Sequence, residues 1–240
     1  MNIGEIWNNL FSKPLFDFLI LLSKALFNNL GLGIIGLTVL IRFVLIPVTL
    51  PSLKYSKKMI EIKPKLDDLK RQYGSDKKRL SEEHSKLLKE HNLNPLAGCL
   101  PQVLQIAVLI TMYNVFLSGL KVEGISRELF IWDVTKPDGT YILPLLSGFT
   151  QLVYSKMLMP GVEKHPEAVK SEKKESVEDM AATMQSQMLY LMPIMTVVIA
   201  AALPSGLSLY WVVATTFQVI QQYFMSGLGG LKQWLLILKK

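Results

Sequence analysis

Apolar residues in this chain gather in long runs set apart by two charged stretches. Five runs stand out: Leu30 to Leu50, Leu96 to Leu120, Tyr141 to Met159, Met188 to Leu203 and Leu207 to Tyr223. About 20 apolar residues in a helix cross a hydrocarbon layer about 30 Å thick, so the pattern predicts five membrane-spanning helices. The last two are short, which calls for local thinning of the bilayer or shielding by protein. They are joined by Pro204, Ser205 and Gly206, where the fixed φ of proline and the freedom of glycine make a turn.

Two further stretches have patterns of their own. From Pro14 to Phe27 the chain is mostly apolar, but Lys13, Asp17, Lys24 and Asn28 recur at spacings of four, seven and four. That is a narrow polar stripe on a helix, and it predicts an amphipathic helix lying on the outer membrane surface; a poorly formed extra span is the alternative. Between Lys54 and His91, Met59, Ile62, Leu66, Leu69 and Tyr73 alternate by three and four, Gly74, Ser75 and Asp76 break the pattern, and Leu80, His84, Leu87 and His91 resume it. This predicts a helical hairpin with a short heptad seam, its first arm kinked or interrupted at Pro64, mobile rather than rod-like because the seam is short.

Charge decides the orientation. The 240 residues carry a formal net charge of +7, with half of them hydrophobic and a mean hydropathy of +0.31. Twelve Lys or Arg against seven Asp or Glu lie between Leu53 and His91, whereas Lys121 to Gly139 holds three basic residues and the stretch before the first span two. The positive-inside rule then puts the Leu53–His91 stretch in the cytoplasm, the N-terminus outside and the C-terminus inside. The lysine-bearing tail, with Lys232, Lys239 and Lys240, agrees. The segment from Pro160 to Gln185, with four lysines and six acids, is indecisive because acids count for little in the rule. Cys99 is the lone cysteine, so no internal disulfide framework is expected, and no secretory signal peptide or lipid-bearing cysteine is apparent near the start.

Arg42 is the first candidate for function. A charge in the middle of a span costs roughly 2.5 to 3.5 kcal/mol on insertion scales, and its neighbours Leu40, Ile41, Phe43 and Val44 are apolar. No Asp or Glu falls in any of the five runs, so Arg42 has no acidic partner among them. Either it snorkels to the interface, or it faces a wet cavity inside the bundle and attracts a carboxylate from another molecule. Thr38 lies one turn away on the same face. Gln102, Gln105, Gln151 and Trp211 add polar groups from three further spans, although glutamines also bridge helices and tryptophans mark interfaces. Enzyme chemistry finds little footing: His84, His91 and His165 all fall in cytoplasmic segments, and neither an H-E-x-x-H zinc motif nor a P-loop is present. His84 and His91 beside Glu83 and Glu90 suit a solvated hairpin. Met184, Met188, Met192 and Met195 suit a packing or lipid-facing stripe, or a pliable surface for the apolar helices of another protein.

At this point the motifs are familiar. NPLAGCLPQVLQ (Asn94 to Gln105) opening a span after a charged hairpin, LPSGLSLYW (Leu203 to Trp211) leading to QQY (Gln221 to Tyr223), and TVLIRFVLIPVT (Thr38 to Thr49) together resemble the YidC-type membrane protein insertase family, with its mitochondrial and chloroplast relatives. The order of elements matches too, over nearly the whole chain. The resemblance implies an all-α membrane protein with five transmembrane helices around a hydrophilic groove that opens to cytoplasm and lipid and is closed outside. It implies that Arg42 is the groove arginine and Thr38 the threonine one turn before it, that Trp211 with neighbouring Tyr210 is the aromatic lining, and that Gln105 is a family glutamine; Gln151 is added here by inference. The expected layout is an extracytoplasmic amphipathic surface helix (1–29), a first transmembrane helix (30–52), a cytoplasmic hairpin (53–93), transmembrane helices two to five with their loops (94–226) and a short basic cytoplasmic tail (227–240). No extra N-terminal span or large extracytoplasmic domain is expected, and the short tail weakens ribosome binding through it.

The function so implied is insertion and chaperoning of membrane proteins in the bacterial inner membrane, without ATP or any cofactor or metal. Its partners would be nascent clients and lipids, with the ribosome and Sec translocon as candidate co-workers, no direct nucleic-acid contact, and a monomeric state because no span holds an apolar G-x-x-x-G. A small transporter or channel is the alternative; it requires a polar path through both leaflets, and Leu, Ile and Val dominate the outer half.

Overall fold

The computed structural model describes residues 5, 7–74, 76–117, 124–158 and 177–232. A π-helical turn, Asn8–Ser12, runs into helix α1 (Lys13–Ala25), whose first turn carries Pro14 where no N–H is missed. Phe27 and Asn28 then take positive φ (59° and 52°) and turn the chain into α2 (Leu30–Val44). Asn29 caps α2 by accepting the Leu32 N–H at 3.0 Å. The two helices meet through small residues: Ser23 is fully buried, donating its hydroxyl to the Leu19 carbonyl at 2.7 Å, and Gly33 lies against it. A Cβ on Gly33 would overlap Ser23, backbone included. Gly33→Val is therefore expected to lower the thermal midpoint in detergent, at a cost of about 1–3 kcal/mol from overpacking. Lys13, Asp17, Lys24 and Asn28 are all exposed, as a solvated stripe requires.

The stretch from Leu30 to Leu50 is not one straight helix. It breaks at Leu45, and α3 (Ile46–Tyr73) leaves at 68° to α2. Pro47 in the first turn of α3 cannot continue the α2 hydrogen-bond ladder, which accounts for the break. Beyond it α3 passes unbroken through Pro51 and Pro64, so the expected interruption at Pro64 does not occur. Asp76 caps α4 (Lys77–Glu90) by accepting the Arg79 N–H at 3.1 Å. The hairpin seam centres on Ile62, Leu88 and Leu93, flanked by Tyr55, Met59, Leu66 and Leu87. Met59, Ile62, Leu66 and Leu87 stand in it as expected; Leu88 joins them, and His91 contributes at the edge, its carbonyl 3.4 Å from Lys58 Nζ and its Nε2 3.3 Å from Lys65 Nζ.

Four more helices follow: α5 (Pro95–Leu117), α6 (Ile142–Leu158), α7 (Val177–Ala202) and α8 (Ser205–Ser226). Helix α7 starts well before the expected Met188. Among the described residues no single helix is long and apolar enough to cross a membrane; α2 and α3 reach that length and composition only as a bent pair. The outward faces are nonetheless apolar. Val103, Ile106, Ile110 and Tyr113 on α5, Leu145 and Phe149 on α6, and Leu191, Ile194 and Val198 on α7 are all exposed, far more apolar surface than a water-soluble monomer leaves bare. Polar side chains, by contrast, turn inward.

Between α5 and α6 lies a structure the apolar pattern does not announce, and it departs from a purely α fold. Glu128–Leu129 and Trp132–Asp133 form an antiparallel ribbon. It ties the starts of two helices together: Ser126 bonds the backbone at Asn28 (2.7 Å) and Leu30 (2.9 Å), while Ser205 N and Gly206 N donate to Lys136 O (2.7 Å) and Val134 O (2.9 Å). Leu129 and Val134 plug the core, joining Leu19, Leu30, Ile34, Leu37, Met112, Val115, Leu143, Leu207 and Tyr210. Two aspartates hold the loop. Asp138 accepts Thr140 N and Leu143 N, both at 2.8 Å, and Asp133 accepts Thr135 N at 3.0 Å and Lys136 Nζ at 2.8 Å. Partial burial would raise the Asp133 pKa, but the hydrogen bonds from Lys136 and Thr135 outweigh it and hold it at about 2. A depressed carboxylate stabilises above its unfolded value of 3.8 and loses that contribution as pH falls through about 2. The protection factor of the Thr135 amide, the slowing of its exchange relative to an unstructured amide at the same pH, is thus expected to hold down to about pH 4 and to fall between there and about pH 2.

Candidate functional site

Ile34, Thr38 and Arg42 follow one another every fourth residue on α2, and all three are buried. This face places Arg42 just before the bend, pointing into the bundle. Its guanidinium donates to Gln105 Oε1 on α5, Tyr210 of α8 lines the same crevice, and the buried Tyr154 of α6 lies within reach of its charge. Four helices thus converge on one cation. Thr38 is 1% exposed, and its hydroxyl is committed to the Ile34 carbonyl at 2.6 Å.

Among the described residues no carboxylate pairs with Arg42. A buried cation met only by neutral oxygens is costly, and a guanidinium has more donors than these oxygens accept. Gln105 Nε2 is a second buried donor, with no acceptor. Among the described residues the site therefore holds a cation and one unsatisfied amide donor with no carboxylate to meet them. The crevice lined by Thr38, Arg42, Thr49, Gln105 and Tyr210 has a void of about 10 Å³, room for about one water, so the open wet cavity expected from the sequence is here a narrow cleft.

Not every expected residue reaches it. Trp211 is 8% exposed but does not line the crevice, where Tyr210 stands. Gln151 is half-buried on α6 and is also absent from the lining; Tyr154, nearly a turn further on, is the α6 residue near Arg42. The Gln102 side chain lies outside the described residues. A longer polar track escaped notice. Thr49, Ser52 and Ser56 on α3 and Gln218 and Gln222 on α8 are all buried, and Gln222 Nε2 donates to Ser56 Oγ at 3.1 Å. Each helix repeats its polar residues at three- or four-residue spacing, as Thr38 and Arg42 do, so the signal was present in the sequence. In the other direction from Arg42 the core is formed by Ile34, Leu37, Met112, Val115 and Leu207, and the serines buried there, Ser147, Ser205 and Ser208, spend their hydroxyls on backbone carbonyls. The bundle interior thus carries a cation and glutamine amides at one end and only self-satisfied hydroxyls among apolar side chains at the other.

Known proteins match this chain closely. Residues 22–229 match the family described as 60Kd inner membrane protein. The chain is 33% identical over 229 residues to the membrane protein insertase MisCA of Bacillus subtilis, covering 93% of this chain and 80% of that protein. It is 34% identical over 219 residues to the membrane protein insertase YidC of Fusobacterium nucleatum, covering 91% and 96%. Its fold resembles a solved crystal structure of an active YidC insertase whose first transmembrane domain is resolved, with a TM-score of 0.62 at 21% identity; the match covers 91% of this chain and 46% of that one.

Proposed function

Because the chain belongs to the 60Kd inner membrane protein family, whose relatives are YidC-type insertases, we propose that it is a membrane protein insertase working through the cleft around Arg42. The observation that carries this reading is a buried cation that pairs with no carboxylate among the described residues. Such a site suits an anion that arrives and leaves. Charge attraction is amplified where the dielectric is low, so the short acidic tail of a client is drawn to Arg42 and waits there while its apolar segment moves into lipid. Burial of that segment, at about 25 cal/mol per Å², completes the transfer without nucleotide hydrolysis. An acidic tail also gains about 2.3 kcal/mol per charge per 100 mV from the membrane potential.

The asymmetry of the interior suits an insertase better than a channel, which needs polar groups along the whole path. In this reading α2, α5, α6, α7 and α8 are the five spans, α1 lies on the outer surface, and the α3–α4 hairpin and the tail lie in the cytoplasm. There they are placed to meet clients, ribosome or Sec translocon, and the protein acts as a monomer. Vesicles holding only this protein are expected to insert a single-span client with an acidic tail in the absence of ATP while remaining tight to small solutes. Solute leak without client insertion would favour a channel.

A further inference from the structure

Three aromatic residues adopt positive φ, a conformation that side chains with a Cβ rarely take: Phe27 (59°), Phe130 (56°) and Tyr141 (59°). All three are exposed, at 88%, 87% and 58%. They also belong to one hydrogen-bonded network at a single end of the bundle. Phe27 precedes Asn28, whose carbonyl accepts the Ser126 N–H, and Asn29 Nδ2 donates to Glu128 O at 2.8 Å in the same ribbon. Phe130 and Ile131, the latter 67% exposed, form the ribbon's tip. Tyr141 follows Thr140, whose hydroxyl accepts Trp132 Nε1 at 3.3 Å.

A turn in solvent ordinarily places Gly, Asn or Asp at such positions. Here the backbone is held in an unfavourable region at three places, and each time the outcome is a bare aromatic ring. The ribbon is firmly seated through Leu129 and Val134, so the rings are displayed by a rigid base rather than left over from poor packing. We propose that Phe27, Phe130 and Tyr141, with Ile131, form a tripod that inserts into the headgroup–acyl boundary of the outer leaflet and sets the depth and tilt of the protein. Lipid is the occupant the surroundings favour. Exposed apolar residues flank the tripod along the chain, Phe18 and Leu21 on α1 and Ile142, Leu145 and Phe149 on α6, interspersed with exposed Lys24, Asn28 and Thr140, a mixture that suits the headgroup boundary, where aromatic rings concentrate in membrane proteins. The inference rests on the membrane-spanning orientation proposed above.

The test uses the full chain in vesicles of phosphatidylethanolamine and phosphatidylglycerol, with Cys99→Ser and single cysteines carrying an environment-sensitive fluorophore. Probes at Phe27→Cys, Phe130→Cys and Tyr141→Cys are expected to be quenched more by lipids spin-labelled near the headgroup than by deeply labelled ones. They should also be shielded several-fold from aqueous iodide, relative to a probe at Glu82→Cys on the hairpin. Iodide quenching equal to that at Glu82, without quenching by lipid, overturns the tripod. A probe at Phe149→Cys separates the two claims: if the deep label fails to quench it, the spanning orientation itself is wrong, whereas quenching there but not at the three aromatics sinks the tripod alone. Phe130→Gly adds a readout that folding does not mimic. It relieves the backbone and should raise the thermal midpoint in detergent, yet increase iodide access at a Tyr141→Cys probe in vesicles; unchanged access would overturn the anchoring role.

Discussion

In vesicles holding the Arg42→Ala variant, insertion of a single-span client with an acidic tail is expected to fall about 10- to 100-fold, the worth of a charge-assisted hydrogen bond in a dry site. A matched client whose tail acids are neutralised should insert almost as before. Arg42→Lys should retain part of the activity, because the charge remains but the planar fork that can hold a carboxylate through two N–H groups does not. Arg42→Glu should be the most damaging for the acidic client. The structure also supplies a control. Ala leaves Gln105 Oε1 and the Tyr210 hydroxyl facing a void, so collapse of the cleft would add to the loss; Arg42→Met fills the space without charge, and replacing a buried ion by a well-packed apolar chain is often neutral or stabilising. A stable Arg42→Met protein that no longer discriminates between the two clients isolates the charge. Full activity of both the Ala and Met variants on the acidic client would overturn the electrostatic role and leave Arg42 as a helix-bridging residue.

How much of this was legible in the sequence depends on what set each feature. The helices were, because apolar runs and the Pro204–Gly206 turn are local signals, and Arg42 was, because a charge between Ile41 and Phe43 is conspicuous. Thr38, Gln105 and Tyr210 could be placed near it by spacing and by resemblance. Gln151 and Trp211 show the limit: helical spacing says which residues share a face but not how α6 and α8 are rotated against α2, and in the structure the expected Tyr210, rather than Trp211, lines the crevice while Tyr154, rather than Gln151, is the α6 residue within reach of the guanidinium's charge. The bend at Leu45 was hidden inside an apolar run, although Pro47 marks where a helix can begin afresh. The ribbon from Glu128 to Asp133 could hardly be foreseen. Its strands are two residues long, and the segment is held by backbone pairing to Asn28, Leu30, Ser205 and Gly206, contacts between distant parts of the chain that leave no periodicity behind.

The hairpin gives the second large effect, with opposite outcomes at its two ends. Among the described residues its tip is held by little: Asp76 caps α4, and the ion pairs Lys63–Asp67, with Lys63 half-buried, and Lys86–Glu83, exposed, at 4.0 and 3.7 Å, contribute at most about 0.5 kcal/mol each. Its base is built into the bundle, because Ser56 receives the Gln222 amide in a fully buried contact and Ile60 lies beside Gly229, whose φ of 50° brings the chain after α8 against the Met157 carbonyl. Replacing residues 74–76 with a longer flexible linker is therefore expected to leave insertion within about twofold of normal, since lengthening a loop costs only about 0.6 kcal/mol per doubling. Removing residues 54–91 should abolish insertion, by taking away both the receiving surface and the polar wall that Ser56 gives the track below Arg42. Ser56→Leu sharpens the comparison. It keeps the hairpin but leaves Gln222 with neither of its side-chain groups satisfied, a cost of about 1–3 kcal/mol, and it puts an apolar side chain in the track. Insertion by this variant should fall at least as far as its thermal midpoint suggests, whereas Ser56→Thr, which keeps the hydroxyl, should restore it. Equal loss from the linker and the deletion would mean instead that the hairpin acts as a rigid, fully specified arm, with its tip as critical as its base.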